Sequence, residues 1–327
     1  MTMTKITELP SLTQLPKNFL IELSALSAIS LSGEEQSQYL QGQVTCDVLS
    51  CGENNLVTGS HCDAKGKVYS VFRLFNRNGD HLLLQPTSCI EASLSALQKF
   101  GVFAKVTIQL SDELHYLALV GEQAKELLAH QFSEIPDDNK PVIQVGSTSL
   151  LFLPAQQHRY IIVDTLSNIQ NIKAALSLPT YEHAIWDLLE ITEGFPLLNK
   201  STSGQYVPQM LNLQAIDGIS FTKGCYMGQE TVARMQYLGK NKRALFSLVS
   251  KQSKALHADD ILEKKLGENW RKAGDILAYY QADDGYCAIQ AVLVNDGDLP
   301  LMRLSSQPNV TIVSKDLPYT LLPVEQN

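Results

Sequence analysis

Residues 221–234 read Phe-Thr-Lys-Gly-Cys-Tyr-Met-Gly-Gln-Glu-Thr-Val-Ala-Arg, and this segment carries the most informative pattern of the chain. Gly224 and Gly228 bracket Cys225, Lys223 precedes the thiol by two residues, and the end of the segment is compatible with a helix. A thiol just ahead of a helix lies near the positive end of the helix dipole, and a neighbouring ammonium group also favours the thiolate. The two glycines would let the backbone come close to a ligand. Residue types alone leave a second interpretation open, which is a buried, inert cysteine in a glycine-rich turn.

The composition is that of a globular protein with a full-sized core. The chain has 327 residues, 44% of them hydrophobic, so we expect two or three compact units. No apolar run approaches the roughly 18 residues that cross a bilayer, and residues 1–16 show no apolar stretch typical of a signal peptide. We therefore expect a cytoplasmic protein without membrane contact.

The charge and the cysteines argue against two classes of site. A net charge of -8 would repel nucleic-acid phosphates, so a large nucleic-acid footprint is not expected. The local exception is Lys240, Lys242 and Arg243, near Arg234 and Lys223 in sequence, which either meet a small polyanion or form a solvated loop. The six cysteines form no C-x-x-C pair and have no histidine at zinc-ligand spacing, so we expect no metal site.

Turn residues and hydrophobic periodicity predict the secondary structure. Ser32 to Glu35 resembles a capping box, which predicts a short helix from Gly33 or Glu34 to about Gln41. Strands are predicted at 56–62, 67–75, 81–85, 102–110, 116–120, 150–153 and 160–163, and further helices at 88–101, 122–131, 166–176 and 182–193. Six short strands predict a small barrel: 244–249, 260–264, 274–280, 286–294, 302–304 and 310–313.

This order predicts an α+β fold in three parts. Residues 1–110 and 111–240 form two sheet-plus-helix domains of similar make-up, and residues 241–327 form a C-terminal β-barrel. An exchange of segments between the first two domains is left open.

The run Lys-Gly-Cys-Tyr-x-Gly-Gln-Glu at residues 223–230, called the signature below, resembles the YgfZ family at every fixed position. That family consists of folate-binding relatives of the aminomethyltransferase of the glycine cleavage system. Further segments resemble the family in the same order, at 41–45, 61–67, 194–196, 208–213 and 267–271, so the resemblance spans about residues 20–320. It implies two ferredoxin-like α+β domains and a barrel, arranged as a ring around a central folate site.

The resemblance also implies roles for individual residues. Cys225 would be the reactive thiol, with Lys223 acting beside it. Folate contacts are implied for a larger set: Leu26, Asp63, Lys65, Gly66, Trp186, Gly224, Tyr226, Gly228, Gln229, Glu230 and Arg234. Trp186 would stack on the pterin ring, but Leu26 stands where the family has a second tryptophan, so half of that aromatic clamp is missing. For Asp63 and Lys65, plain turn chemistry is the open alternative.

The implied function is that of an accessory protein. It would bind tetrahydrofolate or a one-carbon derivative, polyglutamylated, and support iron–sulfur enzymes or cluster assembly proteins. Those enzymes include the ones that thiolate tRNA, so tRNA would be a partner only indirectly, with an indirect influence on replication control, and the protein would act as a monomer. The alternative is aminomethyl transfer to tetrahydrofolate, which the related aminomethyltransferases perform with an aspartate pair where this chain has Ser70 and Val71. A tRNA-modifying enzyme acting directly is disfavoured by the acidic net charge.

Overall fold

The structure is a computed structural model that describes residues 6–155, 157–239, 242–252, 254–257, 259–295, 297 and 299–321. In this part of the chain the helices are α1 (Gln36–Gln41), α2 (Thr87–Phe100), α3 (Ala124–Ala129), α4 (Leu166–Leu176), α5 (Ala184–Glu193) and α6 (Gln229–Leu238). The strands are β1 (Asn18–Glu22), β2 (Leu26–Ser32), β3 (Val57–Cys62), β4 (Val68–Arg77), β5 (Asp80–Pro86), β6 (Thr107–Leu110), β7 (Leu114–Gly121), β8 (Val142–Val145), β9 (Thr148–Leu153), β10 (Arg159–Thr165), β11 (Thr180–Tyr181), β12 (Arg243–Lys251), β13 (Leu262–Leu266), β14 (Asn269–Lys272), β15 (Gly274–Gln281), β16 (Tyr286–Val294), β17 (Met302–Leu304) and β18 (Gln307–Lys315). Within those ranges no helix is both long and apolar enough to span a bilayer.

The first sheet has five antiparallel strands in the order β3-β4-β5-β2-β6. The side chains along each strand alternate between two cores, because successive side chains of a strand point to opposite faces of the sheet. Leu83 packs beneath helix α2 with Ile90 and Leu97, whereas Leu82 and Leu84 face a core that is shared with the rest of the molecule. The sheet is therefore covered on both faces.

The second sheet has six strands in the order β11-β1-β7-β10-β9-β8. Strand β1 pairs antiparallel with β7 and parallel with β11, although it precedes the whole first sheet in sequence. The chain therefore contributes its first strand to the second unit before it builds the first one.

The C-terminal sheet has seven strands in the order β14-β13-β17-β18-β12-β16-β15 and curls into a half-barrel. It contains β14, which the six-strand prediction had omitted. Helix α5 packs against β15 and β16, so this helix of the second unit also supports the barrel. The predicted fold class, two sheet-plus-helix units and a C-terminal barrel-like sheet, is confirmed.

All three units share one hydrophobic core. It brings together Leu82 from the first sheet, Ile21 and Ala118 from the second, Trp186 from α5 and Tyr280 from the half-barrel. Because each unit buries part of its apolar surface against the others, the units hold a fixed arrangement around α5.

Two predictions of local structure were wrong in their boundaries. Helix α1 begins at Gln36, because Gly33 has a φ of +127° and the Glu35 carboxylate accepts a hydrogen bond from the backbone N–H of Lys105 at 2.8 Å instead of closing a capping box. The strand predicted at 102–110 is formed only from Thr107, because Phe103 is 99% exposed and has no partner face to alternate against.

Candidate functional site

The signature begins with a buried lysine that ties it to the first unit. Nζ of Lys223 donates hydrogen bonds to the carbonyl oxygens of Val44 at 2.8 Å and Cys46 at 2.6 Å. It also lies 5.2 Å from the centroid of the Tyr226 ring. Burial lowers the pKa of Lys223 to about 8, and nearby acidic groups oppose that shift. The ammonium group therefore anchors the signature, and a catalytic role for Lys223 stays a prediction.

Backbone hydrogen bonds hold the flanks of Cys225 against residues 42–46. The N–H of Met227 donates to the carbonyl of Gly42 at 3.0 Å, and the N–H of Ser220 donates to that of Thr45 at 2.9 Å. The Thr45 hydroxyl in turn donates to the carbonyl of Gly218 at 2.6 Å. The segment that carries the thiol is thus fixed on both sides.

Gly228 caps the N-terminus of helix α6, and it permits a close contact with the turn at residues 63–66. Its φ is +81°, and a β-carbon there would lie 2.6 Å from the carbonyl oxygen of Asp63 and 2.7 Å from the Cα of Gly66. Gly66 also has a positive φ, and its own β-carbon would lie 2.9 Å from Cβ of Thr231. The structure therefore brings the predicted residues Gly66 and Gly228 together.

Asp63 shapes the turn with its own side chain. Its Oδ1 accepts hydrogen bonds from the backbone N–H groups of Lys65 and Lys67, both at 2.8 Å. The turn chemistry that the sequence left open is present, and the Lys65 side chain is exposed beside it. Folate contacts from Asp63 and Lys65 remain predictions.

Cys225 is exposed, in contrast to most of the other cysteines. Cys46, Cys62, Cys89 and Cys287 are buried and Cys51 is half-buried. A β-carbon at the neighbouring Gly224 would meet no atom within 4 Å, so the backbone beside the thiol is open. The arrangement can present a sulfur atom, on a fixed backbone, to a partner or reactant of considerable size.

The remaining signature residues divide between core and surface. Tyr226 is buried, and burial raises the pKa of its phenol far above the ordinary value. Gln229 and Glu230 begin α6, where Arg234 donates to Glu230 at 2.8 Å in an exposed ion pair. Arg234 therefore has a partner of its own on the helix surface.

The predicted basic cluster is not a uniform surface. Lys223 is buried, Arg234 is paired, and Lys242 and Arg243 are exposed at the start of β12. Lys240 lies outside the described residues. Lys223 therefore cannot join a solvent-facing patch in this conformation.

Trp186 and Leu26, the predicted aromatic clamp, do not share an open cleft. Trp186 is 1% exposed, and its ring lies 5.1 Å from the guanidinium carbon of Arg159 and 5.8 Å from that of Arg73. Leu26 lines a separate pocket of about 300 Å³ with His183 and other residues. Direct stacking on Trp186 would require the ring to become exposed, so the pterin contact stays a prediction.

A larger cavity of about 630 Å³ lies between the first two sheets and the C-terminal segment. Residues from all three parts line it, among them Thr58, Arg73, Phe152, Arg159, Phe195 and Tyr319. The Tyr319 hydroxyl donates to the carbonyl of Gly194 at 2.8 Å, which holds the C-terminal segment against the end of α5. No signature residue is among the described residues that line this cavity.

Two of the lining residues belong to a buried charge cluster that sequence analysis missed. Glu190 is fully buried, and its two carboxylate oxygens accept hydrogen bonds from Arg73 and Arg159, each at 2.7 Å. The Arg73 guanidinium also stacks over the Phe195 ring at 3.7 Å. Burial lowers the pKa of Arg73, as does the charge of Arg159, whereas Glu190 opposes both effects. A signal existed, because each of these charged residues interrupts or directly precedes an apolar run.

Comparisons with known proteins agree with this architecture. A family model described as "YgfZ, beta-barrel domain" matches residues 241–300. The solved structure of the glycine cleavage system aminomethyltransferase T from Bartonella henselae superposes with a TM-score of 0.71 over 94% of this chain and 86% of that one, at 13% sequence identity. At that identity the likeness shows the fold alone.

Sequence similarity to known proteins extends over nearly the whole chain. A protein of Colwellia psychrerythraea (strain 34H), named tRNA-modifying protein YgfZ, is 64% identical over 322 residues, which cover 98% of this chain and 99% of the relative. A protein of the same name from Enterobacter sp. (strain 638) is 40% identical over 305 residues, covering 92% of this chain and 93% of the relative. Signature, fold and relatives agree, and the chain belongs to the YgfZ family.

Proposed function

We propose that the protein binds a folate and, as an accessory factor, supports tRNA modification through iron–sulfur enzymes. The names of the relatives support the link to tRNA modification, and the likeness to an aminomethyltransferase fold supports a folate ligand. The observation that carries the proposal is the cavity of about 630 Å³, whose volume lies within the ordinary range for small-molecule sites. Its aromatic and guanidinium groups suit a flat ligand that carries carboxylates.

A cavity-filling variant tests the folate proposal. Thr58→Phe would place a ring in the large cavity, so tetrahydrofolate binding, measured by titration calorimetry, should be lost while the protein stays folded. Leu26→Phe, in the smaller pocket, is the matched control and should bind as the unmodified chain does. Unchanged binding by Thr58→Phe would place the ligand elsewhere.

The proposed accessory role assigns Cys225 to contact with client enzymes or cluster assembly proteins. Its exposure and the open backbone at Gly224 support that assignment. Cys225→Ser should fold normally yet fail to restore tRNA thiolation in a strain that lacks the protein, because serine keeps the shape and loses the thiol. Cys287→Ser, at a buried cysteine, should restore it, and full restoration by Cys225→Ser would refute the thiol assignment.

Aminomethyl transfer is the weaker candidate. Ser70 and Val71 are both buried, carry no carboxylate and do not line the large cavity. The group expected to handle the amine is thus missing at these positions. Incubation with aminomethyl-loaded carrier protein and tetrahydrofolate should release no ammonia above background, and release at enzymatic rates would favour this candidate instead.

A further inference from the structure

The buried wall of the large cavity carries a net positive charge. Arg73, Arg159 and Glu190 are each less than 9% exposed, and two guanidinium groups against one carboxylate leave a charge of +1. Water screens such buried charge poorly, and a buried charge without a partner is unfavourable. An anion in the cavity would relieve this imbalance.

The cluster also retains unused hydrogen-bond donors. A guanidinium group has five N–H donors, and Glu190 engages one Nη of each arginine. Nε of Arg159 is buried and has no partner among the described residues. Since buried donors are nearly always satisfied, this atom shows that the protein does not fully satisfy the Arg159 guanidinium, which lines the cavity.

The acidic residues of the cavity do not cancel this attraction. Asp138 and Asp217 are exposed, so water and salt screen their charges. Glu193 is half-buried, so water screens its charge more than the charges of the buried cluster. An anion beside Arg73 and Arg159 would therefore feel mainly the buried cations.

We infer that Arg73 and Arg159 hold a carboxylate group of the ligand against the buried wall of the cavity. A single net positive charge matches one carboxylate, and the planar guanidinium favours that group geometrically. The inference rests on the proposed function, since the glutamate moiety of a folate supplies such a carboxylate. A separate small carboxylate would present the same chemistry.

Three probes distinguish these sources in calorimetry and thermal-shift measurements. The compound p-aminobenzoylglutamate carries the carboxylates without the pterin, 6-methyltetrahydropterin carries the pterin without them, and benzoate is a small carboxylate alone. We expect p-aminobenzoylglutamate to bind and to raise the melting temperature, because a ligand of the folded state stabilises it. Binding by benzoate but not by p-aminobenzoylglutamate would assign the subsite to a separate small carboxylate and overturn its assignment to folate.

Charge variants test the two arginines directly. Arg159→Gln leaves Glu190 paired with Arg73 and removes the net charge, so affinity for p-aminobenzoylglutamate should fall about tenfold to a hundredfold, as for the loss of a charged hydrogen bond. Arg159→Lys keeps the charge but not the planar fork, so it should lose less affinity than Arg159→Gln. Glu190→Gln raises the net charge to +2 and should tighten binding, which decides the question if Arg159→Gln does not fold.

The outcomes separate this inference from the proposed function. Affinity for p-aminobenzoylglutamate that is unchanged in both Arg159→Gln and Glu190→Gln would overturn the carboxylate subsite even if tetrahydrofolate binds. Loss of 6-methyltetrahydropterin binding in Arg159→Gln would also overturn it, since the pterin would then occupy the wall. If tetrahydrofolate and 6-methyltetrahydropterin do not bind, but p-aminobenzoylglutamate binds and this binding depends on Arg159, the folate proposal fails and the carboxylate subsite stands.

Discussion

The Cα of Gly66 lies 2.7 Å from the point that a β-carbon on Gly228 would occupy. This contact joins the turn of the first unit to the start of α6, and both glycines adopt a positive φ. Residues other than glycine rarely adopt a positive φ. A β-carbon at either position would also contact neighbouring atoms that cannot easily move aside.

Gly228→Ala should therefore destabilise the fold by more than about 2 kcal/mol, from left-handed backbone strain and overpacking together. Gly224→Ala is the matched control, since its β-carbon would point into open space and its φ is not positive. Its free energy of unfolding in urea should stay within about 0.5 kcal/mol of the unmodified chain. Equal effects of the two substitutions would show that the Gly66–Gly228 approach is not a tight contact in solution.

A second prediction concerns the reactivity of the cysteines. Iodoacetamide at pH 8 should alkylate Cys225 first, because that thiol is exposed. Burial raises the pKa of the other five thiols, to about 12 for Cys46 and Cys62 and to about 11 for Cys51, Cys89 and Cys287. Their thiolate fraction at pH 8 is then about one in a thousand or less. Peptide mass spectrometry over time gives the order, and earlier labelling of any buried cysteine would contradict it.

The buried and exposed ion pairs should differ sharply in their contribution to stability. Glu190→Ala leaves two buried arginines without their shared carboxylate, so the free energy of unfolding should fall by about 3–5 kcal/mol. Glu230→Ala breaks only the exposed pair with Arg234 and should change stability by no more than about 0.5 kcal/mol. Urea denaturation of both variants measures the difference, and a small effect at Glu190 would mean that water reaches the cluster.

Local patterns predicted the elements whose burial follows from their own residues. The helix predicted at 166–176 is α4, which buries one apolar face, and the strand predicted at 286–294 is β16, whose continuous apolar run is buried on both faces. Strand β1 was missed as a separate element, since its partners β7 and β11 lie far along the chain. Pairing between strands so far apart in sequence is set by the tertiary fold and has no signature in the local sequence.

The candidate site shows the same division. The signature pattern predicted Cys225 and the two glycines around it, and the structure gives Gly228 a steric reason that Gly224 lacks. The cluster of Arg73, Arg159 and Glu190 was not predicted, because the burial of each charge is explained only by its partners in the folded protein. A charged residue in an apolar run signals a buried partner but does not name it.

Lys223 should give the protein a characteristic pH dependence. Its pKa is about 8 when folded, below the ordinary 10.5 expected of the unfolded chain, because burial disfavours the charged form. Between about pH 8 and pH 10.5 the unfolded state therefore binds more protons, and stability rises with pH. Urea denaturation across this range, taken as the difference from Lys223→Met, should show a positive slope of up to about 1.4 kcal/mol per pH unit. A flat difference would show that the ammonium group reaches water.

The last prediction concerns where a folate lies relative to the two tryptophans. Trp186 packs directly behind the two arginines of the large cavity, whereas Trp270 lies in the half-barrel with the Arg303 guanidinium 4.0 Å from its ring centroid. Tetrahydrofolate in that cavity should therefore quench the fluorescence of Trp186, and quenching should survive in Trp270→Phe and disappear in Trp186→Phe.

Leu26→Trp then decides between the two pockets. Leu26 lines the smaller one, so a ligand in the large cavity should bind this variant with an affinity within about twofold of the unmodified chain. If the pterin instead lies beside Leu26, the added ring contributes a stacking contact of about 0.5–1.5 kcal/mol, and affinity should rise by up to about tenfold. Fluorescence titration of Leu26→Trp and Leu26→Phe separates stacking from simple filling of the pocket, because a phenyl ring offers a smaller stacking face. Tighter binding by Leu26→Trp would show that the pterin lies beside Leu26 and not in the large cavity, as the aromatic clamp predicted from the sequence requires.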